Sequence, residues 1–168
     1  MEIWKFIAEH DNGVTNFHFE IAADLITEEE LELLNTLRPG LVQLEIGVQS
    51  TNPQTIEAIH RKMDFGRVTE IVNRIAKGRN IHQHLDLIAG LPGDTVEGFA
   101  ASLRQAIALA PENITVHTLT LKRASNIVVE HRAADYADVA AMLDSCSMLA
   151  EAGYRPYYMS VSYTHLTL

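Results

Sequence analysis

The residues best equipped for chemistry in this 168-residue chain alternate with apolar ones. His18 and Glu20 interleave with Phe17, Phe19 and Ile21. Gln43, Glu45, Gly47 and Gln49 interleave with Val42, Leu44, Ile46 and Val48, and His82, His84 and Asp86 oppose Ile81, Leu85 and Leu87. Thr115 and His117 oppose Val116 and Thr118 in a fourth, less cleanly divided stretch. Successive side chains of a strand point to opposite faces, so each segment would present one polar side. Ordinary buried parallel strands are apolar on both. A face of His, Glu, Gln and Asp therefore implies a hydrated, ligand-holding concavity, with helices packed over the other side. A second chemistry fits the same residues. His82-x-His84-x-Asp86 offers three metal ligands on one strand face, with His18, Glu20 and His117 within reach across a barrel, as a metal-dependent barrel hydrolase would need. Taken singly, each residue has a plainer role: a buried His is ordinarily a satisfied core residue, and Gly90-Leu91-Pro92-Gly93 is first of all a turn.

The elements that must position these residues follow from pattern and punctuation. Residues 16–22 read as a strand. Thr27 then opens a helix over 27–37, as N-cap of a capping box completed by Glu30, and Pro39-Gly40 stops it. Residues 41–48 form the next strand, followed by helices over 53–61 and 67–75 separated by Gly66. A third strand at 81–88 ends in Gly90-Leu91-Pro92-Gly93, a helix runs to about Leu109, a fourth strand covers 114–121 and a last helix covers 135–152. Strand and helix alternating four times predict right-handed βαβ units on a parallel sheet, hence an α/β class. Four units are too few to close an eight-stranded barrel. They could form an arc of one or an open doubly wound sheet.

Composition narrows the class. With 47% apolar and 21% charged residues, the chain can bury the core of one ordinary domain. Its formal charge of -9 and only 13 scattered Lys and Arg argue against nucleic acid as partner. The single cysteine, Cys146, excludes an internal disulfide framework and any Cys-rich metal site made by one copy. No apolar run approaches the ~20 residues needed to cross a bilayer, and Met1 leads into an amphipathic stretch rather than a signal peptide. The expectation is a cytoplasmic protein without a membrane partner.

In combination the motifs become specific. Gly47-Val48-Gln49-Ser50, then Arg61, then Leu85-Asp86-Leu87-Ile88-Ala89-Gly90-Leu91-Pro92-Gly93 resemble, in order and spacing, the second half of a radical S-adenosylmethionine (SAM) core of the coproporphyrinogen oxidase-like branch. The resemblance implies an incomplete (β/α) TIM-type barrel, residues 1–159 supplying strands that correspond to the third to sixth. It implies that Gln49 and Asp86 hydrogen-bond the SAM ribose hydroxyls. Arg61 would pair with the SAM carboxylate, where a planar fork suits a planar anion, and Glu20, the loosest match, would receive the methionyl ammonium or an adjacent polar group. The plainer roles for Arg61 and Glu20 are a solvated helix face and a capped strand end. Gly90 and Gly93 would let the backbone turn at the mouth of the site.

Residues 1–92 resemble radical SAM proteins that carry a cobalamin-binding domain, and residues 93–159 resemble HemZ-type coproporphyrinogen dehydrogenases, so the two stretches belong either to one subfamily or to two reading frames joined at the shared Gly-Leu-Pro. Residues 160–168 depart from the family and are expected to be a non-native tail. The family's CxxxCxxC loop, whose thiolates hold a [4Fe-4S] cluster, has no counterpart here. Cys146 lies on a predicted late helix and reads as a small buried hydrophobe. The resemblance thus implies a fragment of an enzyme that binds SAM and, with a cluster from a missing segment, generates a 5′-deoxyadenosyl radical. The implied small-molecule substrate is a porphyrinogen, oxidised without oxygen in haem biosynthesis, with Lys122 and Arg123 as partners for its carboxylates. A cobalamin-associated enzyme of other substrate, or a non-catalytic truncated barrel that associates through exposed edges, are the alternatives. The chain alone is expected to be inactive.

Overall fold

The computed structural model describes residues 2–120 and 135–156. Helix α1 (Glu2–Glu9) leads to strand β1 (Phe17–Ile21), a 3-10 turn (Ala23–Leu25) and α2 (Glu28–Leu34). Next come β2 (Val42–Gln49), α3 (Pro53–Ala58), α4 (Phe65–Gly78), β3 (His82–Ala89), α5 (Val96–Ala108) and β4 (Asn113–Thr118). Two further helices, α6 (Tyr136–Asp144) and α7 (Ser147–Glu151), follow. The strands form one parallel sheet in sequence order, with Phe17 opposite Val42 and Ile21 opposite Ile46. A doubly wound sheet reverses its strand order at a switch point. The unbroken β1-β2-β3-β4 order is that of a barrel arc.

The described residues fall into two compact units, one of residues 2–47, 63–85 and 109–113, the other of 48–62, 86–108, 114–120 and 135–156. In the first, α2 begins as its sequence requires: Glu30 N–H donates to Thr27 Oγ1 at 3.3 Å, and Thr27 N–H donates back to the Glu30 carboxylate at 3.1 Å. α2, with Leu31 and Leu34 buried, packs against α4, whose buried stripe is Val68, Ile71, Val72 and Ile75. Arg67 bridges Glu28 at 2.8 Å and Glu70 at 2.7 Å, and Arg74 reaches Glu28 at 2.6 Å. These guanidinium bonds, Arg67 first, hold the Glu28 carboxyl below its ordinary range.

Gly66 does not separate two helices as its residue type predicts. Asp64 accepts from Arg67 N–H at 3.1 Å and caps α4, which leaves Gly66 inside the first turn. The other end is also unexpected. Arg79, not Gly78, adopts the left-handed conformation, with φ of 52°. Gly78 is required by crowding, since a Cβ there would lie 2.6 Å from Asn35 Oδ1 and from Asn80 Oδ1. Asn80 is buried because its amide donates to the Leu34 and Leu37 carbonyls at 2.8 and 2.9 Å, satisfying acceptors that α2 leaves open at its end.

In the second unit, Asn52 caps α3, which stops at Ala58 rather than at 61. His60 takes φ of 56°, and the N–H groups of His60 and Arg61 return to Glu57 and Ile56 carbonyls at 2.9 and 3.1 Å. This is a Schellman termination with histidine where glycine is usual, and it puts Arg61 beyond the helix. The single last helix predicted over 135–152 is two, α6 and α7. Ser145 Oγ donates to the Ala141 carbonyl at 3.2 Å, and such local hydroxyl bonds compete with helix continuation. α5 buries Phe99, Leu103 and Ala106 and packs against α6, whose Met142 is fully buried. β4 spans Asn113–Thr118; the expected end of that strand, Leu121, and the tail at 160–168 lie outside the described residues. Among the described residues no helix is long and apolar enough to cross a membrane.

Helix α1 buries Trp4 and Ile7 and sets Trp4 edge-on to Phe19, with ring centroids 5.0 Å apart. The loop behind it is tied down by Arg38, whose Nε and Nη2 donate to the two Asp11 oxygens at 2.7 and 2.9 Å. That fork, with the Gly13 N–H at 2.9 Å, holds the Asp11 carboxyl at about 2 against an ordinary 3.8. Because the folded-state value is lowered, the unfolded chain binds more protons between these values. The stabilisation is therefore complete above about pH 4 and lost as pH falls through about 2. Urea midpoints for wild type and Asp11→Asn should differ most near neutral pH, converge below about pH 4 and coincide below about pH 2.

Candidate functional site

Gln49 closes β2 in an unusual backbone state. Its φ is 67°, and Ser50 N–H donates to the Val48 carbonyl at 2.8 Å, so Gln49 is the central residue of a three-residue γ-turn. A side chain larger than glycine in such a state costs on the order of 1–3 kcal/mol and persists only where its surroundings impose it. The surroundings are a knot of hydroxyls. Ser102 Oγ, on α5, accepts from Thr51 N–H at 3.0 Å, lies 3.1 Å from Thr51 Oγ1 and 3.4 Å from Ser50 Oγ, and donates to the Gly98 carbonyl at 3.1 Å. Ser50 Oγ accepts in turn from Asn52 N–H at 3.1 Å. Ser50 and Ser102 are fully buried.

Asp86, in neighbouring β3, is a buried carboxylate with a 7% exposed side chain. The more open His117 of β4 brings Nε2 to 3.9 Å from Asp86 Oδ1. When His117 is protonated, the two form an ion pair in a partly dry setting. β3 then leaves the sheet through two glycines that both take positive φ, Gly90 at 89° and Gly93 at 74°, as a tight turn at this place requires. Gly90 N–H points at Met142 Sδ at 3.3 Å, and a Cβ on Gly90 would stand 2.9 Å from Val139 Cγ2. Behind the turn, Thr95 Oγ1 accepts from Gly98 N–H at 3.0 Å near the start of α5, and burial pushes the Asp94 carboxyl upward.

Of the four residues singled out in the sequence, Gln49, Arg61 and Asp86 lie in the second unit. Arg61 is there as a loop residue just past α3, not on a helix face. Glu20 lies in the first unit, exposed on β1 and in register with Glu45. It is Glu45 that engages His18, at 2.9 Å. The His82-x-His84-x-Asp86 run is split by exposure, with His82 open and His84 and Asp86 buried. Among the described residues no group of three or more His, Cys, Asp or Glu converges as a metal site. Cys146 is half-buried and burial raises its thiol, which suits an inert, protonated side chain. Sequence reasoning missed Ser102. Its one trace is a serine at a core position of the apolar stripe Phe99, Leu103 and Ala106.

The radical SAM superfamily matches residues 1–106, and the chain belongs to it. The oxygen-independent coproporphyrinogen-III oxidase-like protein HemZ of Bacillus subtilis is 36% identical over 146 residues, covering 81% of this chain and 28% of that protein. A match of that extent necessarily crosses Pro92 and Gly93, so both stretches resemble one relative in its own order. The heme chaperone HemW of Haemophilus influenzae is 29% identical, covering 86% of this chain and 38% of its own length. Among solved structures, the coproporphyrinogen III oxidase HemN of Escherichia coli superposes with a TM-score of 0.79 at 20% identity, covering 95% of this chain and 38% of that one. The fold is therefore that of a radical SAM core, a partial TIM-type barrel. The chain spans about a third of the length of these curated relatives.

The two turn glycines differ in a way that can be measured. Gly90→Ala combines a left-handed backbone with a clash against Val139 and should destabilise by about 2 kcal/mol or more. Gly93→Ala meets only Ala58 Cβ at 3.9 Å, an ordinary contact, and should cost about 1 kcal/mol. Denaturant unfolding of both variants beside wild type checks the order.

Proposed function

We propose that this chain is the SAM-binding part of a radical SAM enzyme of the coproporphyrinogen oxidase-like branch, its strands standing for the third to sixth of the core. The observation that carries the reading is the pair formed by Gln49, an amide in an imposed γ-turn at the end of β2, and Asp86, a buried carboxylate in the strand beside it. A ribose diol offers two hydroxyl donors. A carboxylate accepts from both, and an amide can accept from one or donate to an oxygen. Arg61 is assigned to the SAM carboxylate, which a guanidinium fork matches, and Glu20 to the methionyl ammonium.

The family's [4Fe-4S] cluster needs three thiolates, and this sequence contains one cysteine. The residues present do not fit it, and reductive cleavage of SAM to a 5′-deoxyadenosyl radical is assigned to an enzyme completed by a cluster-bearing segment outside this sequence. For substrate we favour a coproporphyrinogen, its propionate side chains oxidatively decarboxylated, because HemZ bears an oxidase-like name over most of this chain. HemW, similar over a like extent, is a heme chaperone, so the SAM scaffold is common ground and the tetrapyrrole step rests on the HemZ likeness. A cobalamin-associated enzyme remains the alternative for the same SAM residues. Lys122 and Arg123, proposed partners of substrate carboxylates, lie outside the described residues. Association of copies is assigned to β1 and β4, the margins of the sheet.

Titration calorimetry with SAM tests the binding assignment. Asp86→Ala should weaken binding by about 1–3 kcal/mol, the scale of lost buried or charged hydrogen bonds; unchanged affinity removes Asp86 from the site. Anaerobic incubation of the chain with iron and sulfide should yield no stoichiometric [4Fe-4S] absorption. A full cluster signal would show that the ligands lie among residues not assigned to them.

A further inference from the structure

We propose that Ser102, on α5, is a positioning residue for Gln49: its buried hydroxyl fixes the Ser50-Thr51 backbone and so imposes the left-handed turn that presents the Gln49 amide to a ribose. The inference rests on the ribose-binding reading of Gln49 and deepens it. Ser102 occupies a core position, with Phe99, Leu103 and Ala106 on the same stripe all fully buried. A hydroxyl there is costly unless its bonds are made. They are made completely. A serine has one donor and two acceptor sites. The O–H goes to the Gly98 carbonyl at 3.1 Å, and the lone pairs face Thr51 N–H at 3.0 Å and the Thr51 hydroxyl at 3.1 Å.

Gln49 is thereby held from both sides. Val48, before it, is fully buried in β2; after it, Thr51 is tethered to α5 by Ser102, and Ser50 Oγ is held by the bond from Asn52 N–H at 3.1 Å. Without the tether, the chain after β2 can relax to the negative φ that a glutamine prefers. The amide would then point elsewhere while strand and helix stayed in place. Ser102 touches no ligand in this arrangement; it acts through Gln49.

Adenosine and 2′,3′-dideoxyadenosine differ only in the diol, and NMR titration of the full chain with each isolates that contact. Wild type should prefer adenosine. Ser102→Ala should lower the preference about fivefold or more, the scale of one lost hydrogen bond, with the affinity for dideoxyadenosine unchanged. In a Gln49→Ala background the same change should have no further effect. Independently of any ligand, Ser50 and Thr51 amides should exchange at least about tenfold faster in Ser102→Ala while the α5 and β3 amides keep their protection. If Ser102→Ala does not fold, Thr51→Val removes one of the same bonds from a half-buried position and should produce a smaller loss in the same sense. Retained preference in the variants, or equal loss for both nucleosides, overturns the positioning role. A wild-type chain indifferent to the diol overturns the ribose reading of Gln49 and this inference with it.

Discussion

The period of two along a parallel strand is the constraint on which everything else here depends. β2 must dry Leu44, Ile46 and Val48, and β3 must dry Leu85, Leu87 and Ala89, each exposed by no more than 1%. Once those side chains are committed to one face, Gln43, Glu45, Gln49, His84 and Asp86 have nowhere to go but the other. A shift of one residue would bury carboxylates and amides among leucines, at a cost far above the stability of a small domain. The polar face is therefore a consequence of the hydrophobic one, and the chemistry is displayed by the same register that builds the core.

Strand register places side chains but does not aim those at strand ends, where the alternation stops. That task falls to backbone states that ordinary residues avoid. Gln49 and His60 in the second unit both take φ values usual for glycine, and hydrogen bonds accompany each: those of Ser102 and its partners beside the first, the paired His60 and Arg61 N–H groups of a Schellman turn at the second. Where glycine does stand, at Gly90, the requirement is double, since φ is positive and α6 crowds the position of a Cβ. Local strain in this unit thus falls at Gln49 and beside Arg61, two of the residues that the proposed reading assigns to SAM.

What the sequence disclosed and what it withheld divide along this line. Thr27 and Glu30 announced α2 because a capping box is a contact between residues three apart, complete within a short window. The four strands were legible from alternation and their parallel pairing from the βαβ rule, whereas their order stayed open between a barrel arc and a doubly wound sheet until the sheet showed it to be sequential. Gly66 misled because a glycine reads as a break, whereas Asp64 had already supplied a cap that carries the helix through it. The end of α3 was invisible because its left-handed residue is a histidine, and the division of α6 from α7 because Ser145 looks helical by type. Ser102 was hidden for another reason. Its partner Thr51 lies about fifty residues away, and only tertiary contact turns one more helical serine into the support of a turn.

Charge separates the parts of the proposed function. The four strands carry three carboxylates, Glu20, Glu45 and Asp86, and no lysine or arginine. Such faces attract cations and repel anions. On the proposed reading SAM, which carries a sulfonium and an ammonium against a single carboxylate, suits residues of that kind, with Arg61 assigned to the one anionic group. A porphyrinogen bearing propionates has the opposite sign. On the proposed reading its carboxylates must be met by cations outside the strands, because a carboxylate brought against Glu45 or Asp86 would face like charge in a low dielectric. On that reading the strand faces suit the cationic ligand, and recognition of an anionic substrate would fall to loops. Loops can change their charge without disturbing the register that keeps Gln49 and Asp86 in place.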